Sequence, residues 1–402
     1  MKPSLLIISA GILQVPAILK AKKLGYHTIV TDQNPKSPGF SHCDEKIFLS
    51  TKDIEGHELL AKKLKKSKNL VGVYTQGTDV EYTVAKAAKA AGLPGIDPEV
   101  ARKCNDKIMM RKLFKSKNVE KMKFQGASNY NQALSAVKKI GFPCIIKPDD
   151  NSGSRGITII KSLSAVKKAF DEAIQGCYHR KEVIIEEFLK GVEYSVDTIV
   201  WDGIVYPCGI SDRTFLKSSK YRIQSGSLTP SLLPSSIQHE MYEVMQKAAS
   251  AIGVDKGAFK GDLILVKNKV KIIEVTARTS GGYDSQYRKP YSFGIDMLKA
   301  TIDIAVGKEL DFRDIVPRWA KWSKTLSVFP KPGKIKKILG IKTAKKIPGV
   351  KDIFILADKG DIVGDYRHSA SRVNYVNIVS DTFENLALIE KMVRKTIRYE
   401  MG

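Results

Sequence analysis

The chain has 402 residues, 43% of them hydrophobic, and this length predicts two to four structural units around a substantial buried core. No apolar run approaches the ~20 residues that a membrane span needs, and the strand-like start lacks a signal-peptide cleavage pattern, so we expect a cytoplasmic protein with no membrane partner. The net charge of +25 invites a nucleic-acid-binding interpretation, but the lysines are spread along predicted helix faces, which favours a solvated surface that attracts small anions.

The first hundred residues predict an open parallel α/β domain. Strands alternate with helices, which is typical of a parallel sheet covered on both faces. The predicted strands are Ser4–Ser9, His27–Thr31, Ile47–Leu49 and Leu70–Tyr74. Gly11 stands alone where a dinucleotide fingerprint needs three glycines at fixed spacing, so NAD binding is disfavoured.

A small, glycine-containing loop follows a strand predicted at Pro143–Pro148. Glycine and serine allow backbone N–H groups to approach phosphate oxygens closely, which makes the loop a candidate phosphate cover. Lys147 at its mouth suits phosphate as a point charge, and Arg155 suits it as a fork. A plain hairpin turn is the alternative. Upstream, Lys107 lies in the first turn of a helix predicted over 106–114 with Asn105 as its N-cap.

A short connector follows the apolar strand predicted at Val183–Ile185. It exposes backbone C=O and N–H groups side by side, a pattern that matches the donor and acceptor of adenine. Glu193, beyond the turn, is placed to accept ribose hydroxyls. The long polar segment 211–234 holds Arg213, whose guanidinium suits a substrate carboxylate.

A hairpin is predicted between Gly261 and Arg278, where two β-branched runs flank the polar turn 267–269. If that turn has three residues, Val266 pairs with Val270 and Asp262 lies opposite Glu274. A two-residue turn would shift the register and undo this pairing.

Facing carboxylates repel each other, so we expect a cation between Asp262 and Glu274. Thr276 lies on the same face by period-two alternation. Hard Mg²⁺ takes carboxylate oxygens and substrate phosphates, which makes it the expected ion, with Mn²⁺ as a substitute. The alternative is an ordinary hairpin with a charged outer face.

The remaining chain contributes a glycine-rich turn at Gly281 and Gly282, whose N–H groups could meet an anion, and then a small α+β cap. Prolines after residue 316 mark the boundary. We therefore expect an amino-terminal domain at 1–100, a central domain at 101–315 divided into lobes 101–182 and 183–315, and a cap at 316–402.

Together these pieces resemble the ATP-grasp superfamily of the carboxylate–amine ligase type over nearly the whole chain. The cap is similar to that of L-amino acid ligases and of biotin-carboxylase- or carbamoyl-phosphate-synthase-like proteins. The resemblance implies an ATP-grasp fold, α/β and α+β, and an ATP site formed by Lys107, Lys147, Ser152, Gly153, Ser154, Arg155, Gly156, Glu186, Glu187, Phe188, Leu189 and Glu193. The family usually places Asn where this chain has Thr276, which leaves one or two metal ions open.

The resemblance also implies a reaction. Asp262, Glu274 and Thr276 would hold Mg²⁺ while a carboxylate is phosphorylated by ATP, and an amine, or in some relatives a thiol, would attack the acyl phosphate. Arg278 and Lys147 are the implied catalytic residues, and Arg213, Gly281 and Gly282 the implied substrate residues. A homodimer is common among relatives.

Two other functions stay open from the sequence. One is an ATP-grasp enzyme that activates bicarbonate or formate. The other is a nucleic-acid-binding protein, whose affinity would fall steeply with salt and ignore ATP.

Overall fold

The computed structural model describes residues 2–151, 153, 155–178, 180–216, 222–367 and 371–402. The strands are β1 (Ser4–Ile8), β2 (His27–Asp32), β3 (Glu45–Phe48), β4 (Leu70–Tyr74), β5 (Phe124–Ala127), β6 (Cys144–Pro148), β7 (Thr158–Ile160), β8 (Val183–Glu187), β9 (Val192–Trp201), β10 (Ile204–Phe215), β11 (Gln224–Thr229), β12 (Gly257–Val266), β13 (Lys269–Thr276), β14 (Trp322–Leu326), β15 (Gly333–Leu339), β16 (Val350–Ile355), β17 (Ile362–Val363), β18 (Asn374–Ser380) and β19 (Arg398–Met401). The helices are α1 (Val15–Lys23), α2 (Ile54–Ser67), α3 (Glu81–Ala90), α4 (Pro98–Asn105), α5 (Lys107–Ser116), α6 (Tyr130–Ile140), α7 (Val166–Gly176), α8 (Ser235–Ile252), α9 (Lys289–Phe293), α10 (Met297–Ala305), α11 (Ile341–Ala344) and α12 (Phe383–Thr396). No helix in this part of the chain is both long and apolar enough to cross a bilayer.

The amino-terminal sheet is parallel, with strand order β3-β2-β1-β4, as predicted. Every residue of β1 is buried, because both faces of the sheet are covered. One face packs against α1 and α10 through Ile18, Leu298 and Ile302. The opposite side of α10 packs on the largest sheet of the molecule through Met297 and Ala300. Helix α10 therefore joins the amino-terminal domain to the rest of the protein.

The first lobe is a four-stranded sheet in the order β5-β8-β6-β7, with α6 and α7 on its core. Strand β8 pairs with both β5 and β6, so the predicted lobe boundary before Val183 is wrong and the chain leaves this lobe after Glu187. The predicted first lobe also began at residue 101, but helices α4 and α5 pack on the second lobe. Cys104 and Phe114 pack in the core of the second lobe.

Helix α5 begins one residue later than its predicted cap implied. The N-cap is Asp106, whose Oδ1 accepts a hydrogen bond from the Met109 N–H at 2.7 Å. Asn105 is instead the last residue of α4. Lys107 is therefore the first residue of α5, which directs it toward the loop after β6.

The second lobe and the carboxy-terminal segment share one eight-stranded sheet in the order β13-β12-β9-β10-β11-β14-β18-β16. The predicted cap is therefore not a separate sheet unit, because β14, β18 and β16 continue the sheet of the second lobe. The apolar face packs on α8 near one end and on α12 near the other. The opposite face is apolar where it packs on α10 and polar elsewhere. Its register aligns Asp197, Ser211, Asp262 and Thr325 on that side.

The β12–β13 turn has two residues, not the predicted three. Lys267 and Asn268 both have positive φ, 49° and 60°, and Val266 pairs with Lys269. Such a turn matches the twist of a hairpin.

The predicted carboxylate pairing is nevertheless confirmed. Ile273 is an extra residue on β13, between the partners of Asp262 and Leu263, and this bulge moves the register by one. Asp262 therefore lies opposite Glu274 after all. The bulge cancels the shift that the short turn introduces.

Candidate active site

The carboxylate pair lies on the polar face of the eight-stranded sheet, and the protein itself supplies a cation. Asp262 Oδ1 is 2.5 Å from Arg213 Nη2 and 2.5 Å from Lys260 Nζ. Burial alone would raise the pKa of Asp262, but Arg213 and Lys260 outweigh it and lower that pKa. The structure therefore places Arg213 against Asp262, and its contact with a substrate carboxylate stays a prediction.

Glu274 is less fully compensated than Asp262. Its nearest described cation is Lys107, whose Nζ lies 3.9 Å from Glu274 Oε2, and its side chain is 20% exposed. Thr276 Oγ1 is buried with no hydrogen-bond partner among the described residues. Two carboxylates and an unpaired hydroxyl on one face are hard oxygen donors, and they fit Mg²⁺.

This donor set is incomplete as a metal cage. Within the described ranges no three His, Cys, Asp or Glu side chains cluster closely enough to hold a metal. Mg²⁺ characteristically keeps waters and substrate phosphates as its remaining ligands. The site therefore suits an ion that arrives with a phosphate-bearing substrate.

The two predicted phosphate lysines meet at the loop after β6. Lys107 Nζ donates to the Asn151 carbonyl at 2.7 Å, and Lys147 Nζ lies 2.6 Å from Glu186 Oε2. Both lysines are more than nine-tenths buried. Burial lowers the pKa of Lys147, while Glu186 opposes that shift. The lysines are held in place by the protein before any phosphate arrives.

The Glu186 side chain is buried, and the adenine contact predicted for the segment around it stays a prediction. Its carboxylate lies between Lys147 and Arg111, whose Nε donates to Glu186 Oε1 at 2.5 Å. Burial would raise the pKa of Glu186, but the two cations lower it to about 2. The Glu186 side chain therefore positions Lys147.

Arg111 is the residue that sequence reasoning missed. Its Nη1 and Nη2 donate to the carbonyls of Ile272 and Ile273, at 2.9 and 2.6 Å, so the same guanidinium that holds Glu186 also holds the β13 bulge. The sequence signal that could have identified Arg111 was its spacing from Lys107 and Phe114. Arg111 follows Lys107 by four residues and precedes Phe114 by three, on the face of α5 that should be apolar.

The connector after β8 uses part of its backbone internally. The N–H groups of Glu187 and Phe188 donate to the carbonyls of Lys123 and Pro143, at 3.0 and 3.2 Å. The Glu187 carboxylate accepts from the Lys123 N–H. An adenine contact through Leu189 stays a prediction.

Glu193 and the phosphate-covering loop are only partly described. Glu193 accepts a hydrogen bond from Arg222, and its ribose role stays a prediction. Gly156 has a φ of 68°, and a Cβ there would lie 3.0 Å from Pro148 Cγ, so this position requires glycine. Arg155 Nη1 donates to the Tyr178 hydroxyl at 3.3 Å, and Gly153 also has positive φ. Ser152 and Ser154 lie outside the described residues.

The amino-terminal domain contributes a loop to the site, which the sequence interpretation did not include. Arg278 Nε donates to Asp79 Oδ1 at 2.9 Å. Gln76 accepts from the Thr279 hydroxyl at 2.6 Å and donates to the Ser280 carbonyl at 3.0 Å. The position of this loop in the sequence could have predicted its role. Residues 76–79 follow the carboxyl end of β4, and open parallel sheets bind ligands at that end of their strands.

Gly281 is required by this contact. A Cβ at Gly281 would lie 3.0 Å from the Gly77 carbonyl oxygen, and one at Gly77 would lie 2.9 Å from Gly281 Cα. Gly282 follows with a φ of 64°. The glycine turn therefore lies directly against the amino-terminal domain.

Residues 140–286 match the model of the ATP-grasp domain. This part of the chain is an ATP-grasp domain. Residues 326–402 match a second model, L-amino acid ligase C-terminal domain 2, which covers most of the predicted cap.

Curated ATP-grasp relatives are longer than this chain. An alanine–anticapsin ligase of Bacillus subtilis is 28% identical over 303 residues, 68% of this chain and 62% of the ligase. The carbamoyl phosphate synthase large chain of Pseudomonas syringae pv. tomato is 25% identical over 351 residues, 85% of this chain but 32% of the synthase. The chain therefore spans less than two thirds of either relative.

A solved L-amino acid ligase from Bacillus licheniformis has the same ATP-grasp fold. It superposes with a TM-score of 0.83 at 19% identity, with all of both chains covered. At this identity the likeness establishes the fold alone.

A small recess adjoins the glycine turn of this ATP-grasp site. It has a volume of about 10 Å³, room for about one water molecule, and is lined by Gln224, Gly226, Ser227, Gly282, Arg288, Thr325, Ser327, Arg372 and Tyr375. These described lining residues include no acid. Arg288 is paired with Asp284 at 2.6 Å, so the recess is polar and weakly cationic.

Proposed function

We propose that this protein is an ATP-dependent carboxylate–amine ligase that forms a C–N bond through an acyl phosphate and releases ADP and phosphate. One observation carries the proposal. The facing Asp262 and Glu274 lie beside the phosphate lysines, with Lys107 3.9 Å from Glu274. The L-amino acid ligase C-terminal domain supports the same class of reaction.

The chain's own residues prepare the first step. Lys107 and Lys147 bind the phosphates, and the Glu186–Arg111 pair keeps Lys147 directed at them. Mg²⁺ held by Asp262, Glu274 and Thr276 would neutralise charge on the transferred phosphoryl group. Arg213 and Lys260 compensate Asp262 until that ion binds. Gly153, Arg155 and Gly156, from the loop after β6, would cover the site and exclude water from the labile acyl phosphate.

Arg278 and the Gly281–Gly282 turn serve the second step. A guanidinium and backbone N–H groups stabilise the oxyanion that forms when the amine attacks. The carboxylate substrate lies near Arg213 and this glycine turn. Mn²⁺ as a substitute ion, a homodimer and a cytoplasmic location are further parts of this proposal.

A phosphate-release screen over pairs of small carboxylic acids and amino acids, with ATP and Mg²⁺, tests the function. We expect release only when both a carboxylate and an amine are present. Release with bicarbonate or formate alone would favour a carboxylase-type activity instead. Release with no substrate pair, together with salt-sensitive binding of RNA or DNA that ignores ATP, would overturn the proposal.

A further inference from the structure

Glu81 is a buried carboxylate without a partner. It is the first residue of α3, is 2% exposed, and neither of its side-chain oxygens has a hydrogen-bond partner among the described residues. Buried polar groups in native proteins are almost always bonded, and a buried charge left unpaired is costly. A group of this kind needs a ligand or a proton to account for it.

The surroundings of Glu81 offer no cation of its own. The charged and titratable groups that face it are Asp79 on its own loop, Arg278 and Glu274 from β13 and its extension, and Cys104 from α4. Arg278 is committed to Asp79, at 2.9 Å from its Nε. Three carboxylates therefore surround one guanidinium, and the net field at this point favours an incoming cation.

Glu81 adjoins the candidate active site. It is the first residue of α3 and interacts electrostatically with Arg278 and Glu274. The side chains of Asp79 and Glu274 are 25% and 20% exposed, so these two acids face any cationic group that comes toward Glu81.

We propose that Glu81 is the acceptor-amine residue: it pairs with the ammonium group of the amine substrate and takes the proton that must leave before attack. This assignment rests on the proposed function. It concerns the second half-reaction only, because Glu81 is not among the residues that hold phosphate or metal.

Proton transfer to Glu81 precedes formation of the C–N bond. One proton passes from the ammonium nitrogen to Glu81, which frees the lone pair for a new C–N bond. The bond from the carbonyl carbon to the phosphate oxygen breaks, and phosphate leaves with that electron pair. A second proton leaves the nitrogen for the departing phosphate, and Glu81 returns its own proton to water.

The protonation behaviour of Glu81 suits this role. Burial, together with Asp79 and Glu274, raises its pKa to about 7, while Arg278 opposes the shift. A general base works best when its pKa lies near the working pH. Glu186, equally buried but held by two cations, would be a poor base.

Hydroxylamine separates the two half-reactions, because it is mostly uncharged at neutral pH and attacks acyl phosphates without losing a proton to a base first. Glu81→Gln keeps the shape of the side chain and removes the base. With the best substrate pair from the screen above, we expect amine coupling to fall ~100-fold or more, the usual range for a lost general base. ATP-dependent hydroxamate formation from the same carboxylate should stay within ~2-fold.

Glu99→Gln is the matched control, because Glu99 is exposed and paired with Arg102 on the neighbouring helix α4. It should change neither rate. Equal losses of both rates in Glu81→Gln, or no loss of either, would overturn the assignment. If wild type forms no hydroxamate with any carboxylate, the proposed function fails and the assignment fails with it.

The wild-type enzyme provides a second measurement that does not depend on the variant folding. Amine coupling should begin to fall just below neutral pH as Glu81 becomes protonated, whereas hydroxamate formation should fall only at the lower pH where hydroxylamine itself becomes protonated. Identical pH profiles for the two nucleophiles would also overturn the assignment.

Discussion

Two glutamates in this protein are equally buried and opposite in character. Glu186, at the centre of the first lobe, and Glu81, at the seam between the amino-terminal domain and the second lobe, are each 2% exposed. Arg111 and Lys147 lower the pKa of Glu186 to about 2, whereas Glu81 has no such partner and its pKa rises to about 7. Burial alone therefore does not decide the charge of a carboxyl group; the cations that the fold brings to it do. The first carboxylate organises the site, and the second is left for a substrate.

The largest test of this comparison removes the cation that Glu186 depends on. Arg111→Ala should lower the free energy of unfolding by about 3–5 kcal/mol, because it leaves a buried carboxylate half paired and releases the carbonyls of the β13 bulge. Urea denaturation measures this. Arg102→Ala, which breaks only an exposed pair with Glu99, should cost at most about 1 kcal/mol. Similar losses in both variants would mean that the Arg111 pair is ordinary surface electrostatics.

The next test follows stability against pH. A raised carboxyl pKa means that the folded state prefers the neutral form, so the contribution of Glu81 is favourable below its usual pKa of 4.5 and is lost as pH rises through about 7. Compared with Glu81→Gln, wild type should lose on the order of 3 kcal/mol between pH 4.5 and pH 8. Thermal melts of both proteins across this range check it, and parallel curves would contradict the assignment of an unpaired Glu81.

Glu186 should show the opposite sign. Its pKa is depressed, so its contribution is present above the usual pKa of 4.5 and is lost as pH falls toward about 2. Melts of wild type and Glu186→Gln on the acid side should therefore converge, after a large difference at neutral pH. A difference that does not shrink on acidification would show that the ion pairs are not its source.

The smallest effect on stability is expected at the metal pair, although its effect on activity is complete. Glu274→Gln removes the repulsion with Asp262 and should leave the unliganded protein as stable as wild type or more stable by ~0.2–1 kcal/mol. It should also abolish turnover and the melting shift caused by Mg-ATP. Glu243→Gln, an exposed change on α8, is the control. Retained turnover in Glu274→Gln would place the metal elsewhere.

The sequence was sufficient wherever the structure depends on local patterns. Alternating apolar runs located the parallel strands β1 to β4 and the hairpin strands, and the order of charged residues led to the ATP-grasp fold. It was insufficient where one distant contact decides the outcome. The residues near the turn do not predict the extra residue Ile273, because Arg111 stabilises that bulge from helix α5, which is distant in sequence. Likewise, the pairing of β11 with β14 joins strands about a hundred residues apart, so the predicted cap appeared to be a separate unit.

The side-chain geometry of the site was the least predictable part. Glu186 lies within β8, beside the predicted adenine connector, and nothing in the local sequence shows that Arg111 and Lys147 approach its carboxylate. Arg213 lies in a polar segment typical of substrate loops, yet the sheet register brings it to Asp262. Asp79 and Glu81 belong to the amino-terminal domain, whereas Arg278 belongs to the second lobe. Their approach to Arg278 depends on how α10 joins the two sheets.

The shared eight-stranded sheet also determines which part of the molecule can move. Since β9–β13 and β14, β18 and β16 form one hydrogen-bonded sheet, and α10 fastens the amino-terminal sheet to it, these parts form a single frame. The first lobe has its own core and joins the frame through two chain crossings, near residues 117–123 and 188–191. Any rotation of the first lobe relative to this frame would therefore act about these crossings. The ion pair between Arg111 of the frame and Glu186 of the first lobe spans the two parts, so it ties such a rotation to the position of Lys147.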